Sequence, residues 1–286
     1  MDLFVRVSLC WIALVVTALA SGCNDSRNGF SKNQNRGGAM SEILPLAQRQ
    51  SGYVPGLTQW NGFMSCWEKS ARRNYAEKVK NNAAEVDLSL LGVDVKQNPS
   101  EKDHTEAIAK LENDLGVTLP QSYKDFLTVY RPPYLRPRKL PWGEALIGFF
   151  APSQVGYFAK LRPDTLRIFE ENPFEATDKD YFVYGAKQDG VFGRTRNLRN
   201  AILIGQHGDA LHELILLYPD VKTADGEMEA AVRFHSEEYR APSFAELMRQ
   251  LSMLETSYPA HVPPYSQEVL KGTCADQIAL VNVWWD

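Results

Sequence analysis

Residues 111–127 read LENDLGVTLPQSYKDFL. Two apolar stripes at helical spacing meet there with only a glycine-to-proline corner between them. Ile108, Leu111 and Leu115 form the buried face of the first stripe. Ser100 with Asp103, or Asp103 with Glu106, offers a capping pattern at its start. Gly116 follows where a left-handed C-cap requires a residue without a β-carbon. Pro120 fits the first turn of a new helix, where its missing N–H is no loss. Tyr123, Phe126, Leu127 and Tyr130 then recur at i, i+3, i+4 and i+7 until Pro132-Pro133 ends the run. The corner is therefore a helix–helix hinge that aims two apolar faces at one core.

Beyond the hinge the texture changes to short β-rich runs. ALIGFF (145–150), YFVYG (181–185), NAILIG (200–205), ELILLY (213–218) and AAVRFH (230–235) are separated by Gly, Pro, Asp and Asn and predict strands. Ser243 and Glu246 form a capping box, and Phe244, Leu247, Met248 and Leu251 predict a closing helix. Ahead of the hinge, SCWEKSARRNYAEKVKNNAAEV (65–86) has Trp67, Ala71 and Tyr75 four apart, so 43–100 reads as a helical N-terminal extension. The segment 257–286 is a C-terminal extension whose IALVNVWW reads as a strand or a packed tail. Leading helices, a mostly antiparallel sheet and a closing helix describe a single α+β domain over 101–256.

Four segments, in order along the chain, carry a family resemblance. IAKLENDLGVTLPQSYKDFLTVY resembles the opening of the SUKH superfamily, the Smi/Knr-like domain: a Glu-x-x-Leu-Gly helix end, Leu-Pro, then an aromatic helix. IGFFAPSQVGYF resembles its next strand and turn, ILIGQHGDALHELILLYP its strand, Gly-Asp turn and strand, and APSFAELMRQL its closing helix. Arg131-Pro132-Pro133 stands where the family has an Asn-Gly-type turn, and the insert Arg162 to Asp180 is long. The resemblance implies a binding module and no enzyme. Bacterial members are typically immunity proteins that occlude polymorphic toxins, so the implied partner is a protein, with a toxin the leading candidate. The alternatives are a structural or regulatory lipoprotein that binds a cell-wall or envelope component and, behind it, a metal-dependent hydrolase.

The N-terminus addresses the compartment. MDLFVRVSLCWIALVVTALASGC carries Arg6 and an uncharged apolar run from Val7 to Leu19, which has the length of a signal-peptide core and is too short to span a bilayer. Ala20-Ser21-Gly22 before Cys23 resembles the bacterial lipobox, which implies cleavage of 1–22 and lipid attachment at Cys23. Residues 23–42 are polar and Gly/Asn/Ser-rich, too poor in apolar side chains to offset ordering, and read as a flexible tether. The expected location is the periplasmic face of the outer membrane, held by the N-terminal lipid. A start at Met40 would instead make the protein cytoplasmic. Cys66 and Cys274 remain in the mature chain, as a disulfide in an oxidising compartment or as two buried thiols.

The chemistry-bearing candidates are few. Lys+Arg 31 against Asp+Glu 35 offers no bulk attraction to nucleic acid, and none is expected as a partner. No nucleophile elbow, P-loop or dinucleotide fingerprint occurs, so no cofactor is expected. His207, Asp209 and His212 in HGDALH are weak metal candidates on a turn between two strands, against a purely structural Gly-Asp turn. Glu112 reads as a structural carboxylate bonded to nearby backbone or to an Arg. Tyr134, Arg136, Arg138 and Trp142 in YLRPRKLPW have the composition of interface anchors and are the guessed partner-binding residues. No residue is assigned a catalytic role.

Overall fold

The computed structural model describes residues 45–54, 56–66, 101–129, 147–191, 193–207, 214–233, 237–256 and 274. All fall within the compact unit Glu42–Asp286. The helix–helix corner forms as its residues dictate. Helices α1 (57–66) and α2 (Glu101–Leu115) precede it, and α3 (Gln121–Val129) follows it. Gly116 has φ +68°, and its N–H donates to Glu112 O at 2.8 Å, the left-handed stop expected of a residue without a β-carbon. Pro120 lies one position earlier than expected, as the cap: its carbonyl accepts from Tyr123 N and Lys124 N. Helix α2 begins at Glu101, which places Asp103 inside it and removes Asp103–Glu106 as a capping pair.

The sheet is antiparallel with strand order β1-β3-β4-β5-β6, and β2 also pairs with β3. The strands are β1 (Ile147–Phe149), β2 (Gly156–Tyr157), β3 (Ile202–His207), β4 (Leu214–Lys222), β5 (Met228–Arg233) and β6 (Glu238–Ala241). Four of the five expected strand runs are present. The fifth, YFVYG, is not a strand. Thr177 caps a short helix there through its side chain and Asp180 N, and Gly185 at φ +70° breaks extension. Strand β6, not expected from the sequence, forms one edge of the sheet; its four charged-alternating residues are too short a signal to read. Strand β4 runs past Tyr218 through Pro219, and the register shifts between Tyr218 and Lys222, where a residue without an N–H is tolerated.

Alternation along the strands makes two cores. One face carries Ile202, Ile204, Ile215, Leu217, Met228, Ala230 and Val232 and packs against α1, α2, α3 and the closing helix α8 (Phe244–Thr256). Phe244 is the hub, with ring centroids of Tyr123 at 4.9 Å, Phe126 at 5.0 Å, Phe149 at 5.9 Å and Trp60 at 6.0 Å. Ser243 Oγ accepts from Glu246 N at 3.2 Å, but the Glu246 carboxylate binds Arg249 and Gln250, so only half of the capping box forms. The other face carries Leu203, Leu214, Leu216, Tyr218 and Ala231. It is covered by an insert between β2 and β3 holding α4 (Phe158–Leu161), α5 (Pro163–Glu171), α6 (Asp178–Tyr181) and α7 (Thr195–Leu198). The result is three layers, helices, sheet and insert. No helix among the described residues is long and apolar enough to cross a membrane.

Candidate functional site

The insert meets the sheet through a buried polar seam. In β5, Glu229 and Arg233 share the insert face with Ala231, and Glu238 and Arg240 come from β6 beside them. Glu229 is fully buried, and its two carboxylate oxygens accept from the hydroxyls of Tyr181 and Tyr184. Arg240, also fully buried, has Nη1 3.9 Å from Glu229 and donates to the Tyr181 carbonyl. Its guanidinium stacks on the Tyr181 ring at 3.9 Å, and its Nε and Nη2 find no hydrogen-bond partner among the described residues. Arg233 Nη1 binds Glu238 at 2.5 Å, Tyr218 donates to the same carboxylate at 2.7 Å, and Arg233 lies 4.1 Å over the Phe169 ring. Two carboxylates thus face two guanidiniums. Burial pushes Glu229 up to about 7 despite Arg240 and the two phenols. Burial and Glu229 raise Tyr181 and Tyr184, and burial and Glu238 raise Tyr218, so all three remain neutral donors.

The insert also closes the free edge of β6. The Gln188 side chain receives Arg240 N at 2.6 Å and donates to Arg240 O at 2.8 Å, copying a strand residue with one amide. Gly190 O accepts Glu238 N at 2.7 Å. A β-carbon on Gly193 would stand 2.9 Å from Glu238 Oε2, so glycine is what lets the loop lie this close. An edge covered in this way offers no template for strand addition.

Residues 45–54 and 56–66 form a strap that passes over the β4–β5 turn. Leu46 is buried in the insert-side core, while Trp60 and Phe63 are buried in the helix-side core. Between them Ser51 donates its N–H to Asp225 at 2.9 Å and its hydroxyl at 2.6 Å. Tyr53 donates to Asp125 at 2.6 Å and accepts from Trp60 Nε1 at 2.8 Å. Glu227 accepts both Ser122 N, at 2.9 Å, and the Ser122 hydroxyl, so it caps α3 from across the chain. Burial raises Glu227 to about 7, against the two bonds from Ser122.

Of the residues singled out from sequence, the structure brings together Cys66 and Cys274. They form a disulfide with Cα atoms 5.6 Å apart, tying α1 to the segment beyond α8. Glu112 is a structural carboxylate: it accepts Leu119 N at 2.8 Å across the corner and sits 3.5 Å from Lys124, a lysine in place of the expected arginine. His207 ends β3 opposite Ile147. Asp209 and His212 lie outside the described residues, as do Cys23, Tyr134, Arg136, Arg138 and Trp142. Among the described residues no group of three or more His, Cys, Asp or Glu could hold a metal ion.

Sequence reasoning missed the seam. Its signal was the alternation of Glu229, Ala231 and Arg233, which reads naturally as the solvent face of a half-buried strand. Here that face is covered, and opposite charges on β5 and β6 are what make covering it tolerable. A family model described as SMI1/KNR4 family (SUKH-1) matches residues 104–250, just over half of the chain. No curated protein and no solved structure matches it.

Proposed function

Because the chain belongs to the SMI1/KNR4 family (SUKH-1), we propose that it is a membrane-anchored lipoprotein whose domain captures a protein partner, in the manner of an immunity protein that occludes a toxin. The family match over 104–250 carries this reading. The ionisable groups of the buried seam are bonded to one another across the insert and the sheet, so they serve the scaffold. The Cys66–Cys274 disulfide supports an oxidising compartment, in keeping with export and lipidation at Cys23. The proposed contact surface includes Tyr134, Arg136, Arg138 and Trp142, between α3 and β1 in sequence.

The test has two arms. Fatty-acid labelling of wild type and Cys23→Ser reads the anchor, and equal labelling of both overturns it. Partner capture from the native envelope, followed by relief of the captured protein's toxicity, reads the domain. Charge reversal at Arg136 and Arg138 weakens capture by about 2 kcal/mol or more if these are anchors. A hydrolytic activity with stoichiometric metal, lost in His207→Ala or His212→Ala, overturns the binding-module reading.

A further inference from the structure

We propose that Glu229, with Tyr181, Tyr184 and Arg240, is a proton-sensitive latch that holds the insert more tightly to the sheet when the carboxyl takes up a proton. The geometry is that of a sealed interface with one titratable group at its centre. Glu229 comes from the sheet, and both phenols that bind it come from the insert. Any outward movement of α6 and the turn after it breaks both bonds at once and lets water reach the carboxyl.

The surroundings decide the sign. From β6, Arg240 favours the carboxylate and Glu238 opposes it. Glu238 is itself engaged by Arg233 of β5 and Tyr218 of β4. From the insert come Tyr181 and Tyr184, with Asn197 Nδ2 on the Tyr181 hydroxyl at 2.9 Å and the Arg194 guanidinium 4.2 Å over the Tyr181 ring. Arg194 in turn is bound to Asp178 and to the Ala176 carbonyl. From the strap, Arg49 Nη1 reaches the Phe182 carbonyl at 3.3 Å. Burial outweighs all of these and leaves Glu229 at about 7 when the seam is closed. In an opened seam the carboxyl faces water and returns to the ordinary value of about 4.3.

The closed form therefore binds the proton more tightly than the open form. Its advantage is complete below the open-state value and is lost as pH rises through about 7. Between pH 8 and pH 6 the closed-to-open ratio changes about tenfold in favour of the closed form. A neutral carboxyl still accepts from one phenol and donates to the other, so the contacts survive protonation.

Hydrogen exchange of the full, disulfide-intact chain tests this. After correction for intrinsic rates, insert amides over 163–184 should gain about tenfold protection from pH 8 to pH 6. Glu229→Gln, neutral at every pH, should abolish that gain. Glu227→Gln, which changes a buried carboxyl on the other face of the molecule, should keep it. Insert protection independent of pH in wild type, or an undiminished gain in Glu229→Gln, overturns the latch. Should Glu229→Gln fail to fold, a carbon-13 titration of glutamate carboxyls in the wild-type chain decides alone. A Glu229 carboxyl near 7 supports the latch, and one fully ionised by pH 5.5 overturns it.

Discussion

At Gly116 the cost of any other residue can be separated into space and backbone. A β-carbon there would meet nothing within 4 Å, yet φ is +68°. Gly116→Val is therefore expected to lose at least about 1 kcal/mol through backbone strain even though the β-carbon itself has room, and a β-branched residue should lose more than alanine. Urea unfolding checks it: Gly116→Val as stable as wild type would mean the corner has another geometry. Four residues earlier Glu112 accepts Leu119 N across the same corner. Glu112→Ala leaves that half-buried N–H without its partner and should cost about 1–2 kcal/mol, while partner capture by the folded variant stays at the wild-type level. Both positions were legible in the sequence because each answers a local question, a left-handed stop and a carboxylate one turn before it. Glu229 was not, because nothing within its own strand says what lies above it.

Elements depend on such distant partners in the same way. Helix α3 starts without a side-chain cap from its own neighbours, and Glu227, 105 residues away in sequence, supplies the acceptor for Ser122. Burial raises that carboxyl to about 7 in the folded chain, against about 4.3 unfolded, so the folded state binds its proton more tightly. Its contribution is full below about 4.3 and disappears as pH rises through about 7. Global stability should thus increase from pH 8 to pH 5, and Glu227→Gln should flatten part of that slope in denaturant titrations; an unchanged slope would show that Glu227 stays ionised. Helices α2, α3 and α8 were readable because their apolar residues repeat at 3.6, and strands β3 and β4 because they are continuous apolar runs. The YFVYG segment carries Tyr181 and Tyr184 three apart, a spacing that suits a turn presenting both phenols to Glu229, and residue type alone disguised it as a strand. Strand β6 escaped notice for the opposite reason: two of its four residues are charged, which reads as solvent-exposed, and only their bonds to Arg233 and Glu229 of the neighbouring strand and to the distant Gln188 bury them.

For the whole molecule, the strap and the disulfide bind together what the family match leaves out. The match ends at 250 and begins at 104, yet Trp60 fills the helix-side core beside Phe126 and Phe244, and Cys274 is bonded to Cys66 of α1. The bridge closes a loop with a sequence separation of 208. By chain entropy alone such a closure removes roughly 5 kcal/mol of freedom from the unfolded state, an upper figure because residual structure lowers it. Reduction should therefore lower the melting temperature of oxidised protein by several degrees, and Cys66→Ser and Cys274→Ser should each reproduce the reduced value. The double substitution should be no worse than either single one, because the constraint is a single bond. Trp60→Ala should add a separate loss of about 3–5 kcal/mol, since it empties a fully buried aromatic site whether or not the bridge is intact. Thermal unfolding with and without reductant, in wild type and Trp60→Ala, separates the two effects. If reduction leaves the wild-type midpoint unchanged, the strap is held by its side chains at Asp225, Asp125 and the aromatic core, and the covalent link adds nothing to the stability of the whole.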